Sequence, residues 1–128
     1  MPGCTHPASE PLPRLVWMTW RDERHVPGKV RRDLHRFARE YDVRMYSDDK
    51  AAGFVREHCG HDASVRYRAL GAPAHRADLW RYCALWTFGG IYLDVKTWLV
   101  QPLRTIFSEC NTAYTVLAAN ALSTDSIY

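Results

Sequence analysis

The segment RADLWRYCALW, Arg76 to Trp86, sets Asp78 and Arg81 three residues apart, on one face of a helix that is otherwise largely apolar. A carboxylate and a guanidinium held this way have two uses. They can form an ion pair on an exposed stripe, which is common and contributes little. They can also meet a ligand, because Asp accepts hydrogen bonds from sugar hydroxyls, Arg donates them, and the planar Arg fork neutralises phosphate. The spacing alone leaves both open.

A second constellation follows at once in GGIYLDVKTWL, Gly89 to Leu99. Two glycines allow a sharp turn and leave room for a ligand or for another backbone. A short apolar strand, Ile91 to Leu93, then delivers Asp94 at its carboxyl end. A carboxylate two residues further on would complete an oxygen-rich pair for a hard cation bridging a diphosphate. Lys96 stands there instead, followed by Thr97.

These residues need elements to position them, and the sequence supplies an alternation. LVWMTW (Leu15–Trp20) reads as a buried first strand. Pro27 is suited to a helix start, and Val30, Leu34, Phe37, Ala38 and Tyr41 recur at helical spacing, ending near Glu40. DVRMY (Asp42–Tyr46) alternates as a second strand. Ser47, Asp48 and Asp49 offer N-caps to a helix over Lys50–His58, stopped by Gly60. Asp62–Leu70 is ambiguous. Gly71–Pro73 breaks the chain before the strongest helix, Ala74–Phe88, and Pro102 interrupts whatever follows Leu99. Thr112–Ala119 has the pattern of a fourth strand. Such alternation predicts an α/β domain with a mostly parallel sheet flanked by helices, and ligands beyond the carboxyl ends of its strands.

Composition agrees with one domain. The chain has 128 residues, 47% of them apolar, with five Trp and seven Tyr, too many aromatics for a solvated tail. The net charge of +3 is mild and its arginines are interspersed with acids, which favours a small anionic ligand over nucleic acid. Nothing approaches the ~20 apolar residues of a membrane span. The proline-rich MPGCTHPASEPLPR reads as a flexible leader, residues 1–13, without the apolar core of a signal peptide. The ending STDSIY directly after an apolar strand suggests a domain truncated at its C-terminus. Cys4, Cys59, Cys83 and Cys110 share no metal-type spacing, and Cys83 reads as a small buried hydrophobe. HCGH (His58–His61) lacks a second cluster to complete a metal site. Asp48 and Asp49 read as caps, and His75 as a surface residue beside the helix start.

Taken in order, PRLVWMTWRD, DVRMYSDD and HRADLWRYCALWTFGGIYLDVKTWLVQPL resemble the glycosyltransferases with a DXD-containing sugar-binding region. That group includes Golgi mannosyl-, galactosyl- and N-acetylglucosaminyltransferases and, more distantly, clostridial glucosylating toxins. The resemblance spans roughly Pro13 to Leu103 and is most specific in the R-x-D-x-x-R helix followed by GG-I-Y-L-D. It implies a GT-A type, Rossmann-like nucleotide-sugar-binding domain, of which residues 14–128 would be the N-terminal part.

The same resemblance implies transfer of a sugar from a UDP- or GDP-linked donor to a glycan, lipid or protein hydroxyl, with retained anomeric configuration. Asp78, Arg81 and Asp94 would carry catalysis. Trp17, Arg76, Gly89, Gly90, Tyr92 and Lys96 would join them in binding the donor. A first-strand residue packs against the base in this family, a role that falls to Trp17, although a strand-end Trp serves a core equally well. Asp94 would bind ribose and Mn²⁺ or Mg²⁺. The family's second Asp is the more direct metal ligand, and an ammonium cannot replace it. Three outcomes follow: ligands elsewhere hold the metal, Lys96 itself neutralises the diphosphate, or the site binds donor without turnover. An unrelated nucleotide-binding domain is disfavoured, since no G-x-G-x-x-G or P-loop run occurs.

Overall fold

A computed structural model describes residues 12–107. The expected fourth strand, most of the leader, Cys4 and Cys110 lie outside the described residues. Strand β1 (Leu15–Thr19) is central, with β2 (Asp42–Tyr46) and β3 (Ile91–Tyr92) parallel to it on either side. Val16 pairs with both Val43 and Ile91, and Trp17 with both Arg44 and Tyr92. Parallel neighbours need long crossovers. These are α1 (Gly28–Phe37) between β1 and β2, then α2 (Asp48–Ala69) and α3 (Pro73–Phe88) between β2 and β3. A one-turn α4 (Leu103–Ile106) closes the described chain.

A strand covered on both faces has no polar side, and LVWMT is accordingly apolar almost throughout. Val16 and Met18 pack with Ala38, Ile91, Leu93, Leu99 and Leu103, joined by Leu34 and Phe37 of α1. The residue between them, Trp17, faces the other way, into Ala51, Phe54 and Val55 of α2 and Trp80, Cys83 and Ala84 of α3. The α/β expectation therefore holds, with a three-stranded parallel sheet between helical layers. Leu12, assigned to the leader, already packs against the Val16 cluster.

Two readings of the sequence are corrected. Gly60 was expected to end the second helix, but the chain turns there with φ 87° and helix resumes as far as Ala69. The continuation buries Tyr67 against the Trp17 cluster with Ala63 beside it, so tertiary packing outweighs the glycine stop. Among the described residues no helix is long and apolar enough to cross a membrane.

The second correction concerns Cys83, which is a disulfide partner of Cys59 and not a free buried thiol; the Cα atoms lie 6.1 Å apart. The bridge ties α2 to α3 beside the bend at Gly60. It also removes Cys59 as a thiolate ligand from HCGH, and among the described residues no cluster of three His, Cys, Asp or Glu could hold a metal. A bridge across 24 residues restricts the unfolded chain by about 3 kcal/mol on the loop-entropy relation. Dithiothreitol, or Cys59→Ala with Cys83→Ala, is therefore expected to lower the unfolding free energy by that amount and the denaturant midpoint with it. Equal midpoints with and without reductant would show that the bridge does not stabilise the domain.

Candidate functional site

All three strands run in one direction, so their carboxyl ends share one edge. Thr19 ends β1 and Trp20 follows it, Tyr46 ends β2 and Ser47 follows it, and Tyr92 leads to Asp94 after β3. The Leu93 N–H donates to the Trp17 carbonyl at 3.0 Å, which carries the β1–β3 pairing one residue past the strand and seats Asp94 on this edge.

Asp94 opens a tight turn. Its carbonyl accepts the Thr97 N–H at 2.9 Å, and its Oδ1 accepts the Lys96 N–H at 2.9 Å. A side-chain bond to the backbone two residues on is the local bond short acidic residues favour. It orients the carboxylate and fixes where the Lys96 side chain leaves the backbone. Asp94, Lys96 and Thr97 are all exposed.

Helix α3 brings the Asp78–Arg81 pair over this strand end. Arg81 Nη2 donates to Asp78 Oδ1 at 2.6 Å, one helical turn away. The guanidinium carbon also lies 4.3 Å from the centroid of the Tyr92 ring, in cation–π contact. Asp78 and the Tyr92 face thus hold a fork that would otherwise be a flexible surface side chain. Arg81 Nε is buried with no hydrogen-bond partner. The arginine has donors to spare for a ligand.

Tyr92 links these groups. Burial raises its hydroxyl above the ordinary tyrosine range, a hydrogen bond with Thr19 and the charge of Arg81 oppose the rise, and the carboxylates of Asp94 and Asp78 add to it. Its hydroxyl therefore lies within the fields of all three residues expected to carry the chemistry. Tyr67 is likewise raised, first by burial and then by Asp48, with Arg76 opposing and Asp49 adding. Arg76 thus acts on the same buried hydroxyl as Asp48 and Asp49, with the opposite sign.

Three residues expected to contact the donor lie away from the open edge. Trp17 is 0% exposed, enclosed by Tyr46, Phe54, Trp80 and Phe88 at ring distances of 5.6 to 6.1 Å, so it presents no face to a base. Its Nε1 donates to the Gly89 carbonyl at 2.8 Å. Gly89 and Gly90 lie at the amino end of β3, away from Asp94, and the room they leave is filled by the Pro13 ring at Gly89 and by Leu15 at Gly90. A Cβ on Gly90 would fall 2.7 Å from the Leu15 carbonyl oxygen.

Two residues on this edge that the sequence reading did not single out are Thr19 and Trp20. Trp20 continues the β1–β2 pairing through its N–H to the Tyr46 carbonyl at 3.0 Å. Its half-buried indole has a buried, unpartnered Nε1, and the Arg21 guanidinium carbon lies 5.5 Å from the ring centroid. The available signal was position, since both residues close the first predicted strand. A cleft of about 580 Å³ lies elsewhere, between α2 and α3, lined by apolar residues including Leu79, Tyr82 and Trp86. It offers no ionisable group suited to the chemistry of Asp78, Arg81 and Asp94.

Residues 17–113 match the family described as glycosyltransferase sugar-binding region containing DXD motif, a span that includes every group on this edge. The chain belongs to that family. Two similar proteins bear the name initiation-specific alpha-1,6-mannosyltransferase. The one from Saccharomyces cerevisiae is 28% identical over 102 residues, and the one from Candida albicans 27% over 103. The alignments cover 73% and 74% of this chain but only 21% and 27% of those two glycosyltransferases. No solved structure matches the chain.

Proposed function

We propose that this domain binds a nucleotide diphosphate sugar along the carboxyl edge of the sheet and belongs to an enzyme that transfers the sugar to an acceptor hydroxyl. The observation that carries this reading is the Asp78–Arg81 pair held over Tyr92 beside Asp94. Arg81 would take the diphosphate, Asp78 the sugar hydroxyls and Asp94 the ribose, each by the hydrogen-bonding capacity of its side chain. Trp20 replaces Trp17 as the surface for the base. The names of the yeast relatives support a mannosyl donor, and UDP and GDP are both candidates for its carrier.

Glycosyl transfer builds positive charge on the sugar as the diphosphate departs as an anion. The groups on this edge address the anion and the orientation of the donor. Retention of configuration is part of the proposal, with no nucleophile assigned. The acceptor would be a glycan, lipid or protein hydroxyl.

Titration with UDP, GDP and their sugars tests the reading. Arg81→Ala is expected to weaken binding about tenfold to a hundredfold, the value of charge-assisted hydrogen bonds. Arg81→Lys should recover only part, because an ammonium neither forks nor stacks on Tyr92 as a guanidinium does. Wild-type affinity in Arg81→Ala would sink the assignment. Saturable binding with no transfer to any acceptor hydroxyl or water would favour a donor-binding relative without turnover, the alternative that Lys96 raises.

A further inference from the structure

We propose that the Lys96 ammonium takes the place of the divalent cation at this edge, so that the domain holds the diphosphate of its donor without a metal. The inference rests on the donor-binding reading above and concerns how that site neutralises charge.

The strand-end turn does not fit a dication. A hard cation requires several oxygen ligands close together. Asp94 contributes one carboxylate, and one of its oxygens already accepts the Lys96 N–H at 2.9 Å. The position two residues on, where a second carboxylate would converge, carries an ammonium with three donors and no acceptor. A metal on Asp94 would also face the positive charge of Lys96 across one turn, an unfavourable pairing of like charges.

The same turn suits the anion directly. Two carboxylates with a divalent cation carry no net charge, and neither does Asp94 with Lys96. Exchanging a carboxylate for an ammonium changes the local charge by two units, as adding the cation would. Lys96 is exposed, and no hydrogen bond or ion pair of its ammonium occurs among the described residues. The bond between its backbone N–H and Asp94, together with the Thr97 N–H on the Asp94 carbonyl, fixes the point from which its side chain departs. The fork of Arg81 lies on the same edge, braced by Asp78 and Tyr92. A planar guanidinium and a mobile point charge can then divide the diphosphate oxygens between them. Lys96 is exposed, so its type is not dictated by core packing.

Calorimetric titration of the full chain with UDP, GDP and inorganic pyrophosphate, in Mn²⁺ and in EDTA, tests this. Equal affinity in both conditions is expected for wild type. Lys96→Ala should weaken binding about tenfold or more, the scale of hydrogen bonds to a charged group, and remain indifferent to EDTA. Lys96→Arg should retain most of the affinity, and Lys96→Asp should bind only when Mn²⁺ is present. Wild-type binding that EDTA abolishes, or Lys96→Ala binding as tightly as wild type, overturns the inference while leaving the donor site standing. No binding of any probe in either condition overturns the donor reading itself and this inference with it. Circular dichroism on each variant shows that the exposed substitution has left the fold intact.

Discussion

Gly90→Ala is expected to lose about 4 kcal/mol of stability and to lower Tm by about 20 °C, a large share of what holds a domain of this size folded. Two costs combine. Gly90 adopts φ +97°, where a side chain is strained, at roughly 1–3 kcal/mol. The added methyl would also sit 2.7 Å from the Leu15 carbonyl oxygen and 2.8 Å from Leu15 Cβ, with Trp17 Nε1 at 3.2 Å. Leu15 begins the central strand, so relief requires moving backbone, and overpacking of that kind costs a further ~1–3 kcal/mol. Gly89→Ala is the internal control. Gly89 also has a positive φ, +68°, but its nearest neighbour is the exposed Pro13 ring at 3.2 Å, a side chain and not backbone. The control carries the backbone strain without the clash and should lose about 1–3 kcal/mol. Thermal unfolding followed by circular dichroism measures both, and similar losses for the two would show that Leu15 yields and that the close approach is not what requires glycine.

That result bears on how GGIYLD is read. In the sequence, two glycines before a strand-end Asp mark room for either a ligand or a backbone, and only the third dimension shows Pro13 and Leu15 filling it. The parts legible beforehand were those governed by local rules. DVRMY alternates and forms a strand with the bounds the alternation implies. Asp78 and Arg81 meet because three residues along a helix is less than one turn. What escaped depends on contacts between distant segments. Cys59 and Cys83 carry no spacing signal, and pairing is not deducible from cysteine positions. Arg81 on the ring of Tyr92 joins a helix to a strand. The helix beyond Gly60 exists because Tyr67 has a core to enter, which no local propensity records.

The burial of Trp17 has the same origin and carries the last expected result. In a strand buried on both faces, alternation does not mark which aromatic is inside. LVWMTW has no pattern that tells the two tryptophans apart; the family resemblance put the base on Trp17, and the fold separates it from Trp20. Trp17→Ala is expected to cost about 4 kcal/mol, as large-to-small changes at buried aromatics do. It removes four ring neighbours and also strands the Gly89 carbonyl that accepts its Nε1. Trp20→Ala removes a half-buried ring with no such bond and should cost about 1 kcal/mol. Ligand binding should reverse the order. Stacking on an aromatic is worth about 1–3 kcal/mol per base, so Trp20→Ala should weaken UDP or GDP roughly tenfold. Pyrophosphate, which has no base, should bind Trp20→Ala as it binds wild type. Denaturant unfolding and calorimetry on the two variants decide the matter. A Trp20→Ala protein that loses nucleotide and pyrophosphate equally would place Trp20 in the frame of the site and leave the base without its platform, whereas a selective loss fixes where along the strand edge the nucleoside lies and leaves the turn at Asp94 to the diphosphate.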